Sequence, residues 1–290
     1  MENVNLNRQV FNKQKFNETV DTEFSELGVE EPDLGFFDLN LATVDDFFIL
    51  YNKLFFEIPK EGAVNSHAFL AKESGVVAGV EVAREVFYQV NPEIHFTAQI
   101  NDGSSVKFGD VVIELDGLAR DILTGERLAL NFMQRMSGIA TQTNVYASII
   151  AHTNAKVLDT RKTTPGLRYF EKLAVKIGGG ENHRIGLYDL IMIKDNHIDY
   201  AGGIKSALEK TNQYKKEIGT DIKVEIEVRD FNELQQALDC GLFDRVMLDN
   251  FTPKDLRIAL DKIDGKFETE ASGGITEETI KGYAETGVDY

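Results

Sequence analysis

Past residue 150 the chain repeats one unit: a short apolar run, a polar loop, then a stretch with helical spacing of its apolar residues. The runs are Lys156–Asp159, Ala174–Ile177, Leu190–Ile193, Lys223–Val228, Arg245–Leu248 and Phe267–Ala271, and Val288-Asp289-Tyr290 reads as the start of another. Helices are expected between them, at Ile204–Lys216, Asn232–Cys240, Pro253–Lys262 and Glu277–Glu285. Strands alternating with helices in this way pair in parallel, as a barrel or an open doubly wound sheet. Polar residues follow or end nearly every run: Asp159-Thr160-Arg161-Lys162, Lys194-Asp195-Asn196, Glu225 with Glu227, Asp249-Asn250, and Ser272-Gly273-Gly274. Strand C-termini in a barrel converge on one rim that carries the chemistry. A Gly-x-Gly-x-x-Gly fingerprint between strand and helix is missing, which argues against a dinucleotide fold. An α/β barrel is the expectation.

The part before the repeat differs. The first ~45 residues are polar and Asn/Glu-rich, and helices or an extended arm are expected there. From residue 67, Phe69–Ala71, Val76–Val80, Ile94–Ala98 and Asp110–Leu115 read as short strands, with turns at Ser74-Gly75 and Asn101-Asp102-Gly103 and a helix over Val82–Phe87. That describes a small α+β unit with an antiparallel sheet. A long helix is expected from Thr124-Gly125-Glu126, with Leu128, Phe132, Met136, Ile139, Thr143 and Val145 on its buried face and Met133 and Met136 as packing residues.

Charge narrows the function. The 290 residues carry 48 acids against 31 Lys and Arg, a formal net charge of −17. So acidic a surface repels phosphate backbones and anionic lipid, which disfavours nucleic-acid and membrane-surface binding. Any cluster of cations in such a chain then calls for an anion. The lone Cys240 excludes an intrachain disulfide framework, and the N-terminus lacks the apolar core of a signal peptide; the expectation is a soluble cytoplasmic protein.

The rim residues divide by charge. Early loops supply Arg161, Lys162 and Arg168, then His183 and Arg184 after Gly178-Gly179-Gly180, then Lys194; Arg127, at the start of the long helix, is a further candidate. Later loops supply Glu225, Glu227 and Asp249, then Ser272-Gly273-Gly274. Arginine forks bind carboxylate or phosphate at two points, and Mg²⁺ takes one or two protein carboxylates with water and phosphate oxygens. The Ser-Gly-Gly turn before a helix suits a phosphate. The pattern points to a polyanionic substrate handled with a divalent metal. Glu227 is the favoured functional acid, and Glu225 reads more readily as a solvated or interior ion-pair partner than as a functional group. His197 reads as a structural hydrogen bonder, His67, His95 and His152 as structural, and Glu268 and Glu270 as a solvated edge or a site. The three glycines before His183-Arg184 favour backbone approach to a ligand over a plain turn. No Cys/His spacing supports zinc.

The run Asp159-Thr160-Arg161-Lys162-Thr163-Thr164-Pro165-Gly166-Leu167-Arg168, the segment Gly178 to Arg184 and Lys194-Asp195-Asn196-His197 resemble the quinolinate phosphoribosyltransferase family. Glu126 to Phe132, the strand with Glu227, Met247 to Phe251, and Glu270 to Ile275 match it too, so the resemblance covers roughly residues 67 to 290. It implies an N-terminal α/β sandwich domain (residues 1–126, including the arm), a seven-stranded α/β barrel (residues 127–290, incomplete at its C-terminus), and a homodimer with shared active sites. The implied reaction joins quinolinate to phosphoribosyl pyrophosphate with loss of CO₂, giving nicotinate mononucleotide. Arg161, His183, Arg184 and Lys194 resemble the quinolinate carboxylate binders, and Arg127 the arginine that reaches the neighbouring subunit's site. Lys162 and Arg168 match basic positions around the two substrates. Glu227 and Asp249 match the pair that holds the ribose hydroxyls and Mg²⁺, and Ser272, Gly273 and Gly274 part of the 5′-phosphate loop. By the same resemblance Lys162, Lys194, Glu227 and Asp249 are the catalytic set, and no organic cofactor is implied.

Two departures stand out. The family's N-terminal acidic, Gly-rich motif is present only faintly, at Asp33-Leu34-Gly35-Phe36-Phe37-Asp38. Family members also continue past the position of Tyr290 through another strand, a phosphate loop and a final helix, so an incomplete phosphate site is the expectation for these 290 residues. Three other readings use the same residues: a related phosphoribosyltransferase-like protein of molybdate transport with a different acceptor, a Schiff-base aldolase using Lys162 or Lys194, and a non-catalytic metabolite-binding relative.

Overall fold

A computed structural model describes residues 64–290. The expected N-terminal arm and Asp33–Asp38 lie outside the described residues. The chain then runs β1 (Val64–Leu70), β2 (Gly75–Val76), α1 (Val80–Val90), β3 (His95–Ala98), β4 (Ser105–Val106), β5 (Val111–Leu118) and the long α2 (Ala119–Ile149). It continues through α3 (Arg168–Ile177), β6 (Ile191–Ile193), α4 (Asp195–Ala201), α5 (Ile204–Ile218), β7 (Val224–Val228), α6 (Phe231–Cys240), β8 (Arg245–Asp249), α7 (Pro253–Ile263), β9 (Glu268–Ser272) and α8 (Ile280–Ala284).

The first half contains the expected antiparallel sheet, in the order β1-β5-β3, beside a small β2-β4 pair. Helices α1 and α2 cover it. Phe69, Phe87, Ile113, Leu115 and Ile122 form the shared core. The buried face of α2 is Ile122, Gly125, Ala129, Met133, Met136, Ala140 and Thr143, so Met136 and Thr143 lie where expected and Leu128 and Phe132 flank the seam. Small residues occupy that seam because neighbours come very close. A Cβ on Gly125 would lie 2.9 Å from the Phe87 ring, and one on Gly178 2.3 Å from the Ala140 carbonyl oxygen.

The second half holds a parallel sheet in the order β6-β7-β8-β9. Alternation along β7 decides how it packs. Val224, Ile226 and Val228 face the helices with Leu234, Val246, Leu248 and Leu256, while Glu225 and Glu227 project from the opposite face. Each fully buried aliphatic side chain here contributes about 1.5–3 kcal/mol. Helix starts are set locally: Asp230 accepts from the Asn232 and Glu233 N–H groups, and Thr252 accepts from Asp255 N–H with Pro253 in the first turn.

The ladder goes on past β9. Tyr290 N–H donates to the Thr269 carbonyl, the Tyr290 carbonyl accepts from Ala271 N–H, and Lys156 N–H donates to the Asp289 carbonyl. Residues 156–159 then meet Glu181 through a parallel bridge at Leu158. The chain is therefore an α/β fold with an antiparallel and a parallel sheet.

Three expected elements are corrected: of the strand expected at Val76–Val80 only Val76 belongs to β2, and Val80 already opens α1. Ala174–Ile177 is not a strand but the last part of α3, because the apolar run continues a helix in which Glu171, Lys172 and Ala174 share the buried face. A short apolar run carries no periodicity that separates the two. Helix α8 starts at Ile280 rather than Glu277, since Thr276 N–H donates to the Thr279 hydroxyl and Thr279 N–H to the Thr276 carbonyl, closing a turn first.

Candidate active site

The C-terminal ends of β6 to β9 present Lys194, Glu227, Asp249 and Ser272 in sequence around one edge of the parallel sheet. Lys194 Nζ lies 2.9 Å from Glu227 Oε2. Asp249 Oδ2 accepts from the Asn250 amide at 2.7 Å. Asn250 has a positive φ of 59° and donates its N–H to the Ser272 carbonyl, and a Cβ on Gly273 would lie 2.2 Å from its side-chain oxygen. Glycine at 273 is thus required by the Asp249-Asn250 turn. Gly273 and Gly274 both take positive φ, 99° and 63°. With α8 starting only at Ile280, this loop offers backbone N–H groups and no adjoining helix start.

Arg161 and Lys162 follow the 156–159 segment, and Arg184 follows Glu181. Among the described residues Arg161, Lys162, Arg168 and Arg184 have no ion-pair partner. Arg168 donates to the Thr163 hydroxyl and the Ile185 carbonyl, and Arg184 reaches only the Leu190 carbonyl at 3.4 Å and Met192 Sδ at 3.5 Å. Burial, then repulsion from Arg161, draws the Arg184 guanidinium below its usual range, against weaker pulls from Glu225 and Asp189. In a chain with 48 acids and 31 basic residues, guanidiniums that lie near one another without a carboxylate among the described residues can hold an anion. Arg127 is exposed on α2.

Beneath these cations is a buried polar layer. His183 Nε2 lies 2.8 Å from Glu225 Oε2 and 3.4 Å from Glu270 Oε2, and Arg245 reaches Glu270 at 3.4 Å and Glu268 at 2.8 Å. Of the two roles open to it, solvated or interior ion-pair partner, Glu225 takes the interior one, and Glu268 and Glu270 are tied to Arg245. Burial works against charge on the His183 ring, but hydrogen bonds and attraction from Glu225 and Glu270 outweigh it and push its pKa up to about 9. Burial raises the Glu225 carboxyl, with Glu270 adding to the rise. Arg184 N–H points at His183 Nδ1 from 2.7 Å, so in the neutral ring Nδ1 accepts and the proton sits on Nε2, facing the carboxylates. His183, Glu225 and Glu270 are spaced closely enough for a metal ion. A proton on Nε2 and the Arg245 charge oppose one there.

His197 accepts from Lys194 N–H at 3.0 Å and is structural, as expected. The glycine run serves packing: Cβ atoms on Gly178 and Gly180 would collide with Ala140 and Thr143 of α2. Lys172 and Asp159 escaped notice as individual residues. Reading residues 174–177 as a strand hid the helical spacing that puts Lys172 on a buried face.

Comparison with known proteins decides the family. Residues 54–137 match the quinolinate phosphoribosyl transferase N-terminal domain and residues 139–290 its C-terminal domain. The chain belongs to the quinolinate phosphoribosyltransferase family. It is 44% identical over 247 residues to a decarboxylating quinolinate phosphoribosyltransferase of Nicotiana tabacum, covering 80% of this chain and 70% of that one. A probable carboxylating nicotinate-nucleotide pyrophosphorylase of Bacillus subtilis is 42% identical over 221 residues, covering 76% of this chain and 75% of the relative. The solved structure of the nicotinate-nucleotide pyrophosphorylase from Francisella tularensis aligns with a TM-score of 0.75 at 40% identity, covering 83% of this chain and 82% of that chain. No helix among the described residues is long and apolar enough to cross a membrane.

Proposed function

We propose that this chain transfers the phosphoribosyl group of phosphoribosyl pyrophosphate to quinolinate with loss of CO₂, producing nicotinate mononucleotide and pyrophosphate. The observation that carries the reading is that Arg161 and Arg184 lie near enough to repel one another with no ion-pair partner among the described residues, while Lys194, Glu227 and Asp249 stand at the C-terminal ends of neighbouring parallel strands. A dicarboxylate fits the first group and a metal-bound sugar pyrophosphate the second.

Arg161, Arg184, Lys194 and Arg168 hold the quinolinate carboxylates, with Arg127 entering from a second copy in a homodimer. His183 serves the same wall by anchoring Arg184 through its backbone N–H. Lys162 lies between the substrates. Ser272, Gly273 and Gly274 meet the 5′-phosphate. Glu227 and Asp249 offer hard oxygen donors on neighbouring strands, a donor set that fits Mg²⁺ completed by water and phosphate. When bound, Mg²⁺ neutralises charge on the leaving pyrophosphate.

The quinolinate ring nitrogen attacks C1 of the ribose with its lone pair, and the C1–oxygen bond breaks with its electrons leaving on pyrophosphate. Glu227 and Asp249 fix the ribose hydroxyls and stabilise positive charge growing at the ring. The carboxylate beside the quaternised nitrogen then departs as CO₂, its bonding pair stays on the ring carbon, and that carbon takes a proton. Catalysis rests on positioning and electrostatics, with no protein nucleophile.

The parallel ladder is read as part of a seven-stranded barrel, residues 127–290 as the catalytic domain and residues 1–126 as the sandwich domain. The acidic charge and lone cysteine favour a cytoplasmic setting. Calorimetric titration tests the acceptor: quinolinate binds at least about tenfold more tightly than nicotinate, and equal affinities would refute a dicarboxylate site.

A further inference from the structure

Two buried charges behind the cation wall have no part in the chemistry above. Lys172 of α3 is 2% exposed at its side chain and Asp159 7%, and they form an ion pair. Lys172 Nζ also donates to the His183 carbonyl at 2.9 Å, and His183 N–H donates to Asp159 Oδ1 at 2.9 Å. The pair thus grips both hydrogen-bonding groups of one residue's backbone. Asn182, with its amide oriented so that donors meet acceptors, adds bonds to Asp159 Oδ2 at 2.9 Å and the Lys172 carbonyl at 2.8 Å.

Asp159 lies two residues before Arg161, and His183 directly precedes Arg184. The grip therefore joins the two loops that carry Arg161 and Arg184, which have no ion-pair partner among the described residues. We propose that the Lys172–Asp159 ion pair is the positioning element of the quinolinate site, fixing the Arg161 and Arg184 loops relative to one another so that both can engage one dicarboxylate. The proposal rests on the quinolinate reading above.

The physics favours a geometric over a stabilising role. A buried ion pair gives little net stability compared with apolar packing, because desolvation offsets attraction. What it supplies is direction: the ammonium has three donors and the carboxylate several acceptor sites, and between them they tie α3 and the Asp159 side chain to the backbone of His183. Neutralised by Asp159, Lys172 also adds no net repulsion to cations that already repel one another. Two guanidiniums that must close on one small ligand gain affinity when their spacing is set beforehand, since ordering them on binding costs free energy.

The test is the double variant Asp159→Asn/Lys172→Met, which removes both charges at once and leaves neither one buried and uncompensated. Asp159→Asn retains a side-chain oxygen that can accept from His183 N–H, whereas Lys172→Met removes the donor to the His183 carbonyl, so half of the grip is lost. The KM for quinolinate should rise about tenfold or more while that for phosphoribosyl pyrophosphate stays within about twofold. Calorimetric quinolinate affinity should fall in parallel. An unchanged quinolinate KM, or both KM values rising together, overturns the proposal. If the double variant does not fold, Asn182→Ala decides: it loosens the same knot, and about a threefold rise confined to quinolinate is expected, whereas no rise or a shared one overturns it. Failure of the underlying reading shows separately, as a parent chain that neither binds nor turns over quinolinate.

Discussion

Lys194 Nζ lies 2.9 Å from Glu227 Oε2, so a cation assigned to quinolinate and an acid assigned to the sugar pyrophosphate hold each other across β6 and β7. The contact sets the boundary between the two halves of the site. Glu227→Gln removes the carboxylate charge but keeps the shape. At saturating quinolinate, kcat should fall at least about tenfold, and the Mg²⁺ concentration for half-maximal rate should rise. A magnesium titration of parent and variant checks both; unchanged Mg²⁺ dependence would remove Glu227 from its assigned role.

Arg184 is half-buried, yet its contacts to the Leu190 carbonyl and Met192 Sδ are long and weak. Its charge therefore has no strong partner among the described residues. Arg184→Ala should weaken quinolinate binding at least about tenfold, equivalent to about 1.4 kcal/mol, and largely spare phosphoribosyl pyrophosphate. Equilibrium binding of each substrate to the variant gives the answer. Unchanged quinolinate affinity would sink the division of roles.

Packing of the glycine run against α2 makes a stability prediction. A Cβ at residue 178 would lie 2.3 Å from the Ala140 carbonyl oxygen and 2.8 Å from Thr143 Cβ. Gly178→Ala should therefore cost about 1–3 kcal/mol and lower the melting midpoint. Gly138→Ala, on an exposed part of the same helix with open space around it, should raise stability by up to about 1 kcal/mol. Equal midpoints for the two variants would contradict this account of the glycines.

The buried carboxylates around His183 predict a pH dependence. Its pKa is raised to about 9 in the folded chain from an ordinary value of 6.5, so the folded state holds the proton more tightly. The resulting stabilisation is complete below about pH 6.5 and disappears as the pH rises through about 9. Urea midpoints should fall over that interval, and less steeply in Glu270→Gln. Parallel curves for parent and variant would contradict the linkage.

Much of the fold was legible because β7 alternates Val224, Ile226 and Val228 with Glu225 and Glu227, and β8 is an apolar run closed by Asp249. The seam of α2 was only half legible. Gly125, Ala129 and Ala140 carry little hydrophobic signal, yet their smallness lets Phe87 and Gly178 approach. Helix α3 was misread because Ala174–Ile177 is apolar and short. Of the site, the unpaired arginines and strand-end acids were visible as charge at the ends of apolar runs. Asp159 was visible only as one more strand-end acid and Lys172 not at all, because a buried ion pair shows itself only when separate segments meet.

The measurement that tests the central claim most directly is turnover with quinolinate, phosphoribosyl pyrophosphate and Mg²⁺, following nicotinate mononucleotide and CO₂ together, with nicotinate as the control acceptor. The account predicts equal amounts of the two products from quinolinate, loss of both on chelating Mg²⁺, and no nucleotide from nicotinate. Nucleotide formed from nicotinate at a comparable rate, or none from quinolinate, would contradict it.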